Sequence, residues 1–417
     1  MKPPLFTAGV DWSENLNDVA VVDRSGEVVA RARVEESPEG VKQLLRLLAG
    51  LRSSHRHSRK QVPIGIESTR SLLVEGLRAA GQTVIAINPT VVDHYRGQLT
   101  PTKRKSDKGD AALLADILRT HGHRHRSLPE NSESAEAVAV LVRAHWQAQR
   151  TRQYQYNRLR SLLREYHPAA LTAWADLPGR LLRPEARAVL RLAPTPSSAA
   201  RLTIRQLRRT LAEAGRTRLL DQHADRLHTL FRATVLRRRP GVEEAMGVQA
   251  LACLDMLDLA CATVDALAER IEDAFLRHPQ AKIYLSFPGV GVLTGARLLA
   301  EIGDDPLRFA DARGLRAYAG AAPLTWASST STSVTHRRIA NLRLKATGHT
   351  WAFATLTRSL GCRAHYDRRR EQGDRYAAAL RHLFGRLLGC LHRCLAREEL
   401  YDEQVAFPAR RPDALEG

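Results

Sequence analysis

Four carboxylates stand out by type, context and spacing. Asp11 interrupts the apolar run Thr7-Ala8-Gly9-Val10, and Glu67 closes the run Val62-Pro63-Ile64-Gly65-Ile66. Asp107 and Asp110 lie three apart in KSDKGDAALLADIL, a spacing that puts both on one face of a helix. A carboxylate at a helix start also complements the helix dipole, which is the plainer account of Asp107 or Asp110 taken singly. Asp11 is harder to explain that way, because an unpaired charge inside an apolar strand is costly to bury. An oxygen-rich set of four carboxylates suits a hard divalent cation such as Mg2+. Two such ions would polarise a phosphodiester and steady both its attacking and its leaving oxygen. Asp93 and Asp116 are read as acids on solvated faces.

These acids can meet only if the elements that carry them are neighbours. From Phe6 to about Pro89 the chain alternates short apolar runs with turn signals. TAGVDWS, DVAVVDRSG and EVVARARVE predict three strands joined by turns at Asn15-Leu16-Asn17-Asp18 and Arg24-Ser25-Gly26. Ser37 then caps a helix whose apolar positions are Val41, Leu44, Leu45 and Leu48. VPIGIES, LLVEGLRAAG and TVIAINP follow as strand, helix, strand. Antiparallel hairpins first and crossovers afterwards is the element order of an RNase H-like sheet. In such a sheet the first and fourth strands pair, so Asp11 and Glu67 emerge on one side.

Beyond Pro89 the pattern turns helical. Residues 131–166 contain neither Pro nor Gly, and a second long helix is expected from about Val242 to Arg277. Between them lies a stretch broken by Pro178, Pro184, Pro194 and Pro196, then the basic run Arg237-Arg238-Arg239-Pro240. The two long helices predict an antiparallel coiled-coil arm, with a pair of ordinary bundle helices as the alternative. A third region opens at Ile283, where PGVG reads as a helix-hairpin-helix turn. Gly289 and Gly291 there would let backbone N–H groups approach a phosphate closely. The expected architecture is α/β plus α: an RNase H/RuvC-like domain at 1–128, a helical coiled-coil arm with an insert at 129–280, a mostly helical domain at 281–402 and a disordered tail at 403–417.

Charge narrows the partners. The 417 residues carry a formal +20, and 44% are hydrophobic, so real cores form beneath a surface that attracts phosphate polyanions. Small-molecule metabolism is the less natural trade. No run of about 18 apolar residues and no apolar signal core before Asp11 is present, so no membrane role is expected and the site of action is read as cytoplasmic, at the nucleoid. The five cysteines form no CxxC pair, and Cys390 and Cys394 share a helix face, which predicts buried free thiols. His121, His123 and His125 read as a polar loop. No phosphate-binding GxxxxGK loop occurs.

Taken together, GVDWSENLNDVAVVD, IGIEST and KSDKGDAALLADIL resemble the three acidic motifs of the DEDD transposases of insertion-sequence family 110, which include the Piv/MooV-type DNA invertases. FPGVGVLTGARLLAEIGDDPLRFADARGLRAYAGAAP resembles that family's carboxyl-terminal transposase segment, so the likeness covers nearly the whole chain. It implies metal binding by Asp11, Glu67, Asp107 and Asp110. It also implies a serine nucleophile a few residues past AGAAP, where Ser328 aligns. Ser329 stands where that family usually has glycine, and Ser329 or Ser331 takes the role if the register slips. Arg337, Arg338, Arg343 and Lys345 follow closely enough to hold a phosphate or RNA backbone. The resemblance further implies donor and target DNA as substrates, an element-encoded guide RNA as partner, and assembly as a homodimer or homotetramer.

Two other readings bear on the same residues. A RuvC-like structure-specific nuclease would need the four acids and water but no serine. An actin-like sugar kinase also opens on a strand motif such as GVDWS followed by a hairpin, yet it would need an ATP-binding second half that the sequence does not display, and the positive charge weighs against it.

Overall fold

The computed structural model describes residues 4–53, 62–67, 71–99, 107–125, 127–327, 332–337 and 339–408. The chain divides into two compact units, 1–130 and 131–417.

The first unit is built on a five-stranded sheet. β1 (Phe6–Asp11), β2 (Leu16–Asp23) and β3 (Val28–Glu35) form the expected meander. α1 (Pro38–Ser53), β4 (Ile64–Ile66), α2 (Leu72–Ala79) and β5 (Val84–Ala86) follow, then α3 (Pro89–Leu99) and α4 (Asp107–His121). The strand order is β3-β2-β1-β4-β5, with β1, β4 and β5 parallel and the β1-β2-β3 side antiparallel. Local signals explain the boundaries: the Ser37 hydroxyl accepts the Gly40 amide at the start of α1, and the Ser71 side chain accepts the Val74 amide at the start of α2.

The two faces of β1 bury against different helices. Phe6, Ala8 and Val10 join a core with Leu44 and Leu48 of α1 and Leu73, Val74 and Leu77 of α2. On the other face the Thr7 hydroxyl donates to the Ala115 carbonyl of α4 at 2.8 Å. Gly9 faces the same helix, where a Cβ would run into the Ala111 carbonyl oxygen. Gly65 of β4 faces that helix too, with Leu114 O 3.2 Å from where its Cβ would sit. The two glycines form a notch that lets α4 lie directly on the sheet.

The second unit is almost wholly helical. α5 (Glu133–Tyr166) and α11 (Pro240–Leu276) are its long members, 34 and 37 residues. They run antiparallel: Ala135, Val138 and Val142 of α5 share one core with Ile271 and Phe275 of α11, whereas Leu159, Leu162 and Leu163 share another with Ala250, Cys253, Leu254 and Leu257. The segment between them is a helical lobe of α6 (Pro168–Thr172), α7 (Pro184–Leu192), α8 (Pro196–Ala200), α9 (Ile204–Glu213) and α10 (Leu220–Arg232). Four of the prolines and prolyl turns that break this stretch sit at helix starts, where a missing N–H costs nothing.

After α11 come α12 (Ala281–Leu285), α13 (Val292–Ile302), α14 (Ala312–Tyr318), β6 (Pro323–Ala327), β7 (Thr332–His336), α15 (Leu342–Thr355), α16 (Leu360–Glu371), α17 (Tyr376–Arg397) and α18 (Glu403–Ala406). The antiparallel β6–β7 hairpin interrupts the helices of a region expected to be mostly helical. Residues 403–406, expected as the start of a disordered tail, form α18 instead. The Asp402 carboxylate caps it by accepting the Gln404 amide at 2.8 Å, and the Arg386 guanidinium donates to the Ala406 carbonyl. All five cysteines are free thiols, four buried and Cys390 half-buried. Among the described residues no helix is long and apolar enough to cross a membrane.

Candidate active site

Strand register brings two of the four acids to the same edge of the sheet. Val10 pairs with Ile66 as the last pair of the parallel β1–β4 ladder; Asp11 ends β1 and Glu67 is the residue after β4, on strands about 4.8 Å apart. Asp11 lies two residues beyond the notch glycine Gly9, and strand side chains alternate, so Asp11 stands on the α4 side of the sheet.

The same contacts place the start of α4. Thr7 meets Ala115 and Gly9 meets Ala111, so α4 runs antiparallel to β1 and steps back four residues for each two along the strand. Two strand residues and four helix residues both advance about 6 Å. Continuing that step sets Asp11 level with the first turn of α4, the turn that begins at Asp107 and includes Asp110.

Asp110 is buried, and its Oδ1 accepts from Arg96 Nη2 of α3 at 2.8 Å. Arg96 spans two acids, since its Nη1 also holds Asp93 Oδ1 at 2.8 Å. The second oxygen of Asp110, Oδ2, is buried and has no hydrogen-bond partner among the described residues. An anionic oxygen left in that condition is costly unless a cation reaches it. Among the described residues, no group of three or more His, Cys, Asp or Glu is close enough to hold a metal ion. The side chain of Asp107 lies outside the described residues. Of the acids read as solvated, Asp93 is exposed, whereas Asp116 is tied to Arg119 and accepts the Tyr95 hydroxyl at 3.1 Å.

Trp12 and Glu36, which the sequence reading passes over, sit beside this edge. The Trp12 indole N–H donates to Glu36 Oε2 at 2.9 Å, and Glu36 Oε1 accepts the Leu72 amide at 2.6 Å. One glutamate thus fixes a half-exposed indole next to Asp11 and caps α2. The signal was available: an acid just past a strand and a tryptophan beside a half-buried aspartate.

In the second unit, Ser328, Ser329 and Ser331 fall outside the described residues, as does Arg338. The strands on either side are described: Ala327, the last residue of β6, pairs with Thr332, the first of β7. Gly289 has φ +75°, and a Cβ there would press on the Ala354 and Thr355 backbone at 3.1 Å, so its glycine is required by packing on α15. Gly291 is the N-cap of α13 and has open space around it. Arg337 is half-buried and its Nε has no hydrogen-bond partner among the described residues. Arg343 pairs with the buried Glu301, and Lys345 lines a groove of about 810 Å³ with Leu342, His349 and Arg381.

Comparison with known proteins agrees with this distribution of motifs. Residues 8–168 match the DEDD transposase model of the IS110 group, and residues 281–367 match a model described as "Transposase IS116/IS110/IS902 family". A Streptomyces coelicolor protein named as a mini-circle transposase for IS117 is 49% identical over 399 residues, 96% of each chain. An uncharacterised 43.6 kDa protein of insertion element IS110, from the same organism, is 30% identical over 77% of this chain and 78% of its own. A 42 kDa protein of insertion element IS900 from Mycobacterium paratuberculosis is 31% identical over 79% of this chain and 81% of its own. With a DEDD transposase match over residues 8–168, a transposase segment at the carboxyl end and a relative 49% identical over 96% of each chain, the chain belongs to the IS110 family of insertion-element transposases, enzymes that act on DNA.

Proposed function

We propose that the chain cuts and rejoins DNA through two groups, a carboxylate site formed by Asp11, Glu67, Asp107 and Asp110 and a serine nucleophile in the chain between β6 and β7, Ser328 in the register adopted. The observation that supports this reading is the β1–β4 register, in which Val10 pairs with Ile66 and Asp11 and Glu67 are the residues that follow, on a sheet whose Gly9 and Gly65 lie against α4. In this reading residues 1–128 are an RNase H/RuvC-like domain, α5 and α11 form a coiled-coil arm, and PGVG is a helix-hairpin-helix turn whose glycines meet a phosphate. Substrates are donor and target DNA; an element-encoded RNA guides pairing, and a homodimer or homotetramer joins the sites.

The donor set fits Mg2+: all ligands are hard carboxylate oxygens, and the unpartnered Asp110 Oδ2 is the kind of atom a cation satisfies. Bound there, the ion supplies Lewis-acid polarisation of the phosphodiester. The chain's own residues supply the rest. The serine Oγ attacks phosphorus, its proton passes to a base, and the departing sugar oxygen takes up a proton. The phosphodiester is conserved as a phosphoserine link, so rejoining needs no nucleotide cofactor. Arg337, Arg338 and Lys345 hold the phosphate backbone as the link forms.

A nicked DNA substrate, which lets the departing strand diffuse away, tests this. The expected result is a protein–DNA adduct whose tryptic peptide carries phosphate on Ser328. An adduct on Ser329 or Ser331 moves the register; Mg2+-dependent cleavage with no adduct replaces the serine by water and makes the enzyme a nuclease in its cutting step.

A further inference from the structure

Glu301 is a charge in an unexpected place. It is the next-to-last residue of the apolar helix VLTGARLLAEI, is 4% exposed, and sits beside residues of the second unit's larger core. A carboxylate so placed is tolerated only if its oxygens are satisfied. Oε1 accepts from Arg343 Nε and Oε2 from Asn341 Nδ2, both at 2.6 Å. Asn341 is held on every side: Nδ2 also reaches the Tyr318 hydroxyl at 2.7 Å, its amide donates to the Tyr318 carbonyl, and its Oδ1 caps α15 through the Leu344 amide. Arg308 donates to the same Tyr318 hydroxyl at 3.1 Å. This network fixes the chain where it leaves the hairpin and enters α15.

Arg343 uses only Nε in that network. Its side chain is 44% exposed, and among the described residues its Nη1 and Nη2 make no hydrogen bond. An exposed arginine ordinarily samples many rotamers. One clamped at Nε by a rigid carboxylate keeps its plane, and the free Nη edge matches two phosphate oxygens. Five residues separate β7 from α15, so Arg343 follows the hairpin closely in the chain.

We propose that Glu301 is a positioning residue that orients Arg343, so that the outer edge of the guanidinium grips a phosphate of the DNA strand on which the hairpin acts. The inference rests on the hairpin reading above for its role in the reaction, but not for the clamp itself. Its sign is unusual: Glu301→Gln adds one positive charge to the protein, so charge alone predicts tighter DNA binding, whereas loss of the clamp predicts weaker binding.

The test measures salt-dependent binding of the full chain to a DNA duplex of about 30 bp, where each phosphate contact contributes roughly 0.9 to the slope of log affinity against log salt. Glu301→Gln and Arg343→Gln are each expected to weaken binding and lower the slope by about one contact, with the double variant losing no more than either. Glu301→Gln binding as tightly as wild type with an unchanged slope overturns the proposal. So does a double variant that loses two increments, or a loss seen on an RNA duplex and not on DNA. If Glu301→Gln does not melt cooperatively, Arg343→Lys decides: it keeps the charge but lacks the fork, and wild-type affinity in that variant also overturns the clamp. Absence of a serine adduct together with a lowered slope rejects the nucleophile while leaving the clamp in place.

Discussion

The two halves of the proposed chemistry are held by opposite means. In the first unit the acids are placed by repeating geometry: a ladder register, strand alternation and two glycines that seat α4. In the second, the hairpin exit and Arg343 are placed by one buried polar network around Glu301 and Asn341. Repetition distributes positional precision over many backbone bonds. A network concentrates it in a few side chains. The first design tolerates surface change and fails when backbone contacts are disturbed; the second fails at single atoms.

The largest expected effect tests the repeating half. Asp11→Asn keeps the strand and the basic surface but removes one anionic oxygen donor, so cleavage should fall roughly 10³-fold or more, the scale felt when a catalytic group is lost. Duplex binding should stay close to wild type. Cleavage at the wild-type rate in Mg2+ would remove the first unit from the chemistry.

Next comes the notch. Gly9→Val drives side-chain carbons into the Ala111 carbonyl, and overpacking of this kind costs about 3 kcal/mol. A urea titration of the variant should show the loss, together with weaker protection of α4 amides in hydrogen exchange. A variant as stable as wild type would mean that α4 can lift from the sheet without cost.

A control lies in the helical lobe, far along the chain from both sets of residues. Burial pushes the His167 pKa down to about 4 from 6.5. The folded state thus resists a proton that the unfolded chain accepts. Stability is fully present above pH 6.5 and is lost as pH falls toward 4, by about 2 kcal/mol at pH 5. His167→Leu should flatten that part of the profile; an unchanged acid slope would assign it to other groups.

The smallest effect separates two glycines that read alike in the sequence. Gly289 needs its left-handed backbone and lies against α15, whereas Gly291 has φ −96° and open space. Gly291→Ala should therefore cost less than about 1 kcal/mol. If it also leaves duplex binding unchanged, the backbone of that turn does not approach a phosphate as closely as proposed.

What could be read in advance follows the same division. The meander, α1 and the β4–α2–β5 unit were legible because their apolar spacing is local, and the pairing of β1 with β4 follows from element order. The notch was not, since Gly9 and Gly65 gain meaning only from a helix about 50 to 100 residues away. Arg96 was missed because its partner Asp110 is set by how α3 and α4 pack. The hairpin was missed because PLTWA and TSVTH are short and mix threonine with small residues, which suits a strand edge and a loop about equally. Asn341 carried a readable cap signal before LRLKAT, but nothing local shows that it also meets Glu301.

The antiparallel pair α5 and α11 has a mechanical meaning. Its two cores, one ending near Val142 on α5 and the other starting near Leu159, are about 25 Å apart along a helix with a rise of 1.5 Å per residue. Buried Ala260 and Val264 of α11 belong to neither. Two helices joined at both ends resist bending better than either alone, so the lobe of α6 to α10 is tied through this pair to the core that α13, α15 and α17 share.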